Sequence, residues 1–385
     1  MTPPKLPSQP TLEQVRSKLS RHYPYFLQEF QDSLLLEEQE QYLDTSHTLL
    51  RAHNHMVRLR IMDDIFMNAQ RQGRISFYMT CRGEEAIHMG AASALELGDP
   101  VLAQYREQGL LMWRGFTLEQ FANQCYGNDL DLGKGRQMPI HYGSRALNYH
   151  TVSSPLGTQL PQAVGVAYRL RLQNKPNVAA CFFGDGCAST TDFHSALNFA
   201  ATLGAPVLFF CRNNGYAIST PTSDQYNGDG VVARAPGYGM AAIRVDGNDI
   251  FAVHAAVREA RAYAIENHAP VLIEAMTYRQ GHHSSSDDST QYRDKEEIQT
   301  VTDRGDPLVR LERLLDTLGL GQDKQALADQ ENTAVLRAME LAEKRKPPKL
   351  ESLFTDVYHE LPPHLVAQQK ELQEHLAKYP SEYQT

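Results

Sequence analysis

Two short runs, VAACFF at 178–183 and VLFFC at 207–211, are apolar at every position and are joined by a segment with helical spacing. A strand with one face in water alternates apolar and polar side chains. A run without alternation has both faces covered, as the inner strands of a parallel sheet do. Parallel neighbours need a crossover, and the joining segment supplies one. Phe193, Leu197 and Ala200 fall on one helical face, and Gly204-Ala205-Pro206 ends it. The pattern recurs downstream: a short strand over 243–245, a helix over 251–266 striped by Val253, Val257, Ala260 and Ala264, and VLIEAMTY at 271–278. This alternation predicts an α/β fold with a doubly wound, mostly parallel sheet.

The flanks read as helical extensions. Leu50, Val57, Ile61 and Ile65 recur at three-to-four spacing within 38–71, Gly73 is the stop, and a second helix spans 84–94. Residues 1–35 read as an extended arm and 98–176 as a Gly-rich, irregular stretch. The tail is helical and charged, broken at Pro347-Pro348 and Pro362-Pro363. The expected division is an N-terminal arm and helix over 1–60, an α/β domain over 61–304 and a helical C-terminal extension over 305–385.

Composition excludes several classes. No apolar run approaches the ~18 residues of a membrane span, and MTPPKLPSQPTLEQ has neither a signal core nor transit-peptide character. No membrane association is expected, and the location is the cytoplasm, or the mitochondrial matrix if a presequence has been removed. A net charge of −9 argues against nucleic acid as a partner. Cys81, Cys125, Cys181, Cys187 and Cys211 are odd in number and lack a CxxC pair, the pattern of a reducing compartment without a zinc site.

In open parallel sheets ligands bind at the carboxyl ends of the strands, and the unusual residues of this chain fall there. Gly184-Asp185-Gly186 follows one strand. With Ser189 it nearly completes a dinucleotide fingerprint, but the next strand ends in Arg212-Asn213-Asn214 instead of the acid that would hold a ribose. The alternative is a diphosphate held through a divalent metal. Asp185 offers a carboxylate and Asn214 an amide oxygen, both hard donors of the kind magnesium takes. The two glycines admit phosphate close to the backbone at a helix N-terminus.

GDG at one strand end and NN at the next is the pattern of thiamine-diphosphate enzymes. The chain further resembles, over nearly its whole length, the alpha subunits of branched-chain 2-oxo acid dehydrogenases. The blocks that carry this are GRISFYM 73–79, QYREQG 104–109, GKGRQMPIHYG 133–143, SSPLGTQ 153–159, FFGDG 182–186, CRNNGYAISTPTS 211–223, RVDGNDIFAV 244–253 and YRQGHHSSSDDSTQYR 278–293. The resemblance implies a thiamine-diphosphate-binding domain of the diphosphate type. It implies magnesium on Asp185, Asn214 and the main-chain carbonyl of Tyr216. Arg106, Arg212 and His283 would anchor the diphosphate, with Tyr105, Ser154, Leu156, Gly184, Gly186 and Cys187 also at the cofactor. His283 would be the catalytic acid/base in acyl transfer to a lipoyl group, a role suited to a group that titrates near working pH. His282 would support the loop from inside.

By the same resemblance Phe77, Tyr105 and Leu156 line the acyl pocket, Ser153, Pro155, Thr158 and Gln159 hold a potassium ion, and Ser284 is a regulatory phosphorylation site. A hydrogen-bonded turn is an equal reading of SSPLGTQ. Position 294, a second regulatory serine in the animal enzymes, is Asp294 here. The implied partners are a beta subunit, in an alpha2-beta2 assembly that supplies the carboxylate activating the cofactor, and a lipoyl-bearing acyltransferase. Pyruvate and acetoin dehydrogenase alpha subunits resemble HGHSMSDP where this chain has His282-His283-Ser284-Ser285-Ser286-Asp287-Asp288. They remain the alternative, as does a catalytically inert scaffold homologue.

Overall fold

A computed structural model describes residues 45–317 and 319–383 of the chain. The expected arm over 1–35 and the start of the first helix lie outside the described residues. Helix α1 spans Thr45–Arg71, and Gly73, at φ +74°, closes it with a left-handed residue. Its buried face is Ala52, Met56, Leu59, Met62, Phe66 and Ala69, whereas Leu50, Val57, Ile61 and Ile65 form a half-buried edge. The stripe read from sequence is displaced because helices pack on α1 from more than one side, so its buried arc is wider than a surface helix's.

Helix α2 (Glu85–Ala94) matches its expected range. The stretch expected to be irregular instead holds strand β1 (Val101–Leu102), helices α3 (Gln108–Trp113) and α4 (Leu118–Tyr126), strand β2 (Tyr149–His150) and helix α5 (Gln159–Leu172). The two strands are two residues each, too short for periodicity to register. Helix α5 carries Pro161 in its first turn and Gly165 in its middle, both of which lower helical propensity. Tertiary packing overrides that signal.

Next come β3 (Ala179–Gly184), α6 (Thr191–Leu203) and β4 (Val207–Asn213), as expected. A hairpin of β5 (Tyr216–Ala217) and β6 (Thr220–Pro221) and the short helix α7 (Thr222–Gln225) follow. Then β7 (Ala241–Asp246), α8 (Ile250–Asn267) and β8 (Val271–Met276) complete the alternation. Helices α9 (Lys295–Gly305), α10 (Pro307–Thr317), α11 (Lys324–Glu343) and α12 (Pro363–Lys378) make up the tail.

The main sheet has the order β2-β1-β3-β4-β8-β7, and every pairing is parallel. Successive residues of β3 and β4 alternate between two cores. Ala180, Phe182, Leu208 and Phe210 pack with α1, α2 and α8; Ala179, Cys181, Phe183, Val207, Phe209 and Cys211 pack with α5 and α6. That two-sided burial is why the runs show no polar alternation. All five cysteines are free and buried among these layers. Helix α8 lies on α2 so closely that a Cβ at Gly90 would stand 2.8 Å from the Ile250 carbonyl and from Val253. In the tail, α11 packs on α1 and α4, and Arg58 makes two hydrogen bonds to the buried Glu331, at 2.6 and 2.9 Å. No helix of the described residues is long and apolar enough to cross a membrane.

Candidate active site

Parallel strands put all their carboxyl ends on one edge, and the register of Gly184 opposite Arg212 and of Arg212 opposite Ala275 brings the loops after β3, β4 and β8 together there. With the loop after β1 they line a cleft. Its walls include Tyr105, Arg106, Leu156, Gly184, Asp185, Gly186, Cys187, Arg212, Asn214, Tyr216 and His283, so most residues singled out from sequence converge. Gln104, Ala217, Ile218 and Arg279 complete the lining and had no sequence signal of their own.

The β3–β4 wall is rigid and charged. Asp185 is buried, its Oδ2 accepts a 2.9 Å bond from Gln225 Nε2, and it makes no ion pair among the described residues. Burial raises its pKa, against the pull of the Gln225 bond. Asn214 Oδ1 accepts from the Tyr216 amide at 3.3 Å, while its Nδ2 donates to Glu84 at 2.8 Å. A buried carboxylate without a cationic partner, beside an amide oxygen and a loop carbonyl, is a donor set that fits magnesium. Gly186 has a further reason to be glycine: a Cβ there would meet Ala217 Cβ at 2.6 Å, so the hairpin closes directly over the turn.

Arg212 is wholly buried between two glutamates. Nη1 donates to Glu84 at 2.6 Å and Nε donates to Glu107. Glu107 also accepts from the Gln104 and Arg106 amides at 3.0 and 3.2 Å and thereby shapes the loop after β1. Two carboxylates on one guanidinium leave the trio net negative, so Arg106 and Arg279 supply the unneutralised positive charge on the opposite side.

That opposite wall is the loop 278–293. Arg106 donates through Nη1 to the Thr80 carbonyl at 2.6 Å and through Nη2 to the carbonyl of His283. The His283 ring meets Arg106 Nη2 at 3.2 Å and Arg279 Nη1 at 3.3 Å, both at Nδ1. Guanidinium only donates, so Nδ1 is the acceptor and the proton of the neutral ring sits on Nε2. Burial and these two cations push the His283 pKa down to about 3, away from the near-neutral value expected of it. A bound polyanion would oppose that effect.

The loop also carries its own ties. Asp287 Oδ2 accepts from the His283 amide at 2.7 Å and from Tyr292 Oη at 2.6 Å, and Arg293 donates to the carbonyls of Arg279 and Gly281. His282 Nδ1 accepts from the Ser289 amide at 3.0 Å, the supporting place expected for it. Ser284 is buried beneath the loop surface, and its Oγ accepts from the Ser286 amide. Asp294 caps helix α9 through the Glu296 amide, a local task that a carboxylate performs well.

Some sequence candidates stand apart from the cleft lining. Phe77 is half-buried against the core. Ser154 Oγ lies 2.7 Å from His141 Nε2, and His141 Nδ1 lies 3.0 Å from the Pro139 carbonyl; the carbonyl can only accept, so in the neutral ring Nδ1 carries the proton and Nε2 accepts from Ser154. In SSPLGTQ, Thr158 Oγ1 donates to the Pro155 carbonyl and Gln159 Nε2 to the Phe182 carbonyl, with Ser153 half-buried. The hydrogen-bonded turn is therefore formed.

A doubly wound parallel sheet with a carboxylate, an amide and arginines around a cleft at its carboxyl edge has the fold and the donor types of a diphosphate-binding protein. The sequence profile described as "Dehydrogenase E1 component" matches residues 53–351, so the chain belongs to that family, and this membership implies dependence on thiamine diphosphate. It is 53% identical over 339 residues to "2-oxoisovalerate dehydrogenase subunit alpha, mitochondrial" of Dictyostelium discoideum, covering 87% of this chain and 77% of that one. The Caenorhabditis elegans protein of the same name is 54% identical over 87% of this chain and 78% of its own. That of Homo sapiens is 52% identical over 87% and 76%.

Proposed function

We propose that the chain is the alpha subunit of the decarboxylating component of a branched-chain 2-oxo acid dehydrogenase complex, acting on 2-oxoisovalerate and similar acids. The observation that carries this is the convergence of Asp185, Asn214 and Tyr216 with Arg106, Arg279 and His283 on one cleft, in a chain of this family. Asp185, Asn214 and the Tyr216 carbonyl hold magnesium, and Arg106, Arg212 and His283 face the diphosphate. Tyr105, Leu156 and Phe77 belong to the apolar wall for the acyl chain in this reading, and Ser154 to the cofactor's surroundings. A potassium ion on the turn of Ser153, Pro155, Thr158 and Gln159 belongs to the same reading.

Thiamine diphosphate, when bound, supplies the carbon nucleophile for the 2-oxo group and the electron sink for loss of carbon dioxide. This chain's part is to bind and orient it and to manage a proton at His283. With Nδ1 engaged by two guanidiniums, Nε2–H is the position from which a proton reaches the lipoyl sulfur. Asp185 is the one carboxylate among the described lining residues and faces the metal. The acid that activates the cofactor's aminopyrimidine therefore comes from a beta subunit, and the acyl group leaves on a lipoyl-bearing acyltransferase. The relatives named above are mitochondrial by name, and the matrix is the compartment that fits.

The test is co-expression with a beta subunit followed by decarboxylation assays on several 2-oxo acids. Activity should require both subunits, magnesium and thiamine diphosphate, with kcat/KM higher for 2-oxoisovalerate than for pyruvate. Full activity of the purified single chain, or a preference for pyruvate, overturns the reading.

A further inference from the structure

Glu84 lies outside the cleft lining, yet it is completely buried against it. It stands at the N-terminus of α2 but does not cap that helix; its side chain turns toward β4. Oε1 accepts a 2.8 Å bond from Asn214 Nδ2, and Oε2 accepts a 2.6 Å bond from Arg212 Nη1. The buried ion pair with Arg212 makes Glu84 a carboxylate, and both of its oxygens are engaged as acceptors.

An asparagine amide has two ends of nearly equal size, and only the oxygen can ligate a cation. An ionised carboxylate accepts and cannot donate, so it takes the NH2 end of Asn214 and leaves Oδ1 toward the cleft, beside the Tyr216 amide at 3.3 Å. The competing account makes Glu84 a mere counter-ion for Arg212. Glu107 already fills that role on Nε, and a second buried carboxylate costs desolvation unless it has another use.

We propose that Glu84 is a positioning residue for the divalent cation: it fixes the amide of Asn214 with its oxygen toward the metal, a task that rests on the cation site proposed above. Glutamine at this position has one acceptor atom where glutamate has two. The guanidinium claims that oxygen, the new NH2 faces Asn214, and the Asn214 amide turns its nitrogen toward the metal.

The experiment uses the full chain assembled with its beta subunit and measures thiamine diphosphate binding by calorimetry across a magnesium titration. Glu84→Gln should raise the half-saturating magnesium concentration about 10–100-fold, the usual cost of losing an outer-shell partner. Saturating magnesium should bring cofactor affinity back near the parent value, which general damage to the fold would not allow. In an Asn214→Ala background, Glu84→Gln should add no further magnesium effect, because its route of action is gone. An unchanged magnesium requirement in Glu84→Gln, or equal losses with and without Asn214, overturns the inference. If Asn214→Ala itself leaves the magnesium requirement unchanged, the cation reading fails instead, and the two failures are distinct. Should Glu84→Gln not fold, Glu84→Asp keeps the charge near Arg212 while withdrawing the oxygen from Asn214, and the same cycle applies.

Discussion

The two walls of the cleft are built on opposite principles. The β3–β4 wall hangs from the middle of a six-stranded sheet, and its working groups are fixed by side-chain partners: the half-buried Gln225 on Asp185, and the buried Glu84 on Asn214 and Glu84 and Glu107 on Arg212. The 278–293 wall is a loop without regular strands, held by hydrogen bonds among its own polar side chains and by Arg106. A sheet-borne site resists displacement because moving one residue strains a packed core. A self-tied loop opens at the cost of a few exposed bonds, the low-stability end of a structure. The first wall suits permanent binding of a cofactor, and the second suits admission of a large acyl acceptor.

The largest effects should come from the rigid wall. Asp185→Ala and Asn214→Ala each remove a proposed magnesium ligand, and thiamine diphosphate affinity should fall by more than the ~10–100-fold typical of an outer-shell loss. The fold should survive, since neither side chain packs in the hydrophobic layers. Calorimetric titration beside a melting curve checks both points, and unchanged affinity in both variants would put the metal elsewhere.

On the loop wall, His283→Ala should cut acyl transfer to lipoyl acceptors by about 100-fold or more, the range for losing a general acid. Decarboxylation followed with an artificial electron acceptor should suffer less. Equal losses in the two assays reduce His283 to a diphosphate contact.

The contrast between the walls is also a contrast in legibility. β3, β4, β8 and α6 were readable because burial on both faces leaves uninterrupted apolar runs, and Asp185 and Asn214 were readable because strand ends point to sites. The loop after β1 was not: Gln104 and Glu107 follow a two-residue strand and owe their place to contacts with Gly184 and Arg212 from far along the chain. Glu84 and Arg279 escaped for the same reason, since buried polar contacts between residues far apart in the chain leave no periodic trace in one sequence. Arg212 lies in the cleft lining, but its two glutamate partners could not be foreseen. His283 was expected to titrate near neutrality, and burial together with the two guanidiniums at Nδ1 pulls it far lower.

A charge placed inside the loop separates self-tied from cofactor-ordered behaviour. Ser284 is buried and its carbonyl accepts from the Asp287 amide, so Ser284→Glu forces a carboxylate close to the one that anchors the His283 amide. Like charges repel there, and the loop should loosen. Protease cleavage within 278–294 should rise and lipoyl-coupled activity fall, whereas Ser284→Ala should keep most of its activity. A protected, active Glu variant shows that loop order does not depend on charge at this position.

A gentler probe is proton binding at His283. Its pKa in the fold lies below the ~6.5 of free histidine, so the unfolded chain binds the proton more readily. The stability this contributes is complete above about pH 6.5 and is lost as pH falls from there toward about 3. Thiamine diphosphate brings negative charge to the same pocket and should raise the value. An NMR titration of the ring with and without cofactor reads the change, and a pKa that stays put on binding removes His283 from the diphosphate.

The smallest expected effect sits where the two walls touch. Ile218, in the turn between β5 and β6, has φ +57° and lines the cleft, and its carbonyl accepts from Arg279 Nη2 at 3.1 Å. A β-branched residue in the left-handed region costs about 1–2 kcal/mol, and such strain persists where surrounding contacts impose it, commonly at functional sites. Glycine adopts this conformation freely but loses about 0.5–1 kcal/mol through greater chain entropy. Ile218→Gly should therefore leave the melting temperature nearly unchanged or slightly raised. The apolar surface that Ile218 presents to the cleft is lost, so KM for 2-oxoisovalerate should rise while kcat holds. Differential scanning fluorimetry paired with steady-state kinetics makes the comparison. A clear drop in melting temperature with unchanged KM would mean that Ile218 serves packing of the hairpin, and that the rigid wall ends at Asn214 instead of reaching across to Arg279.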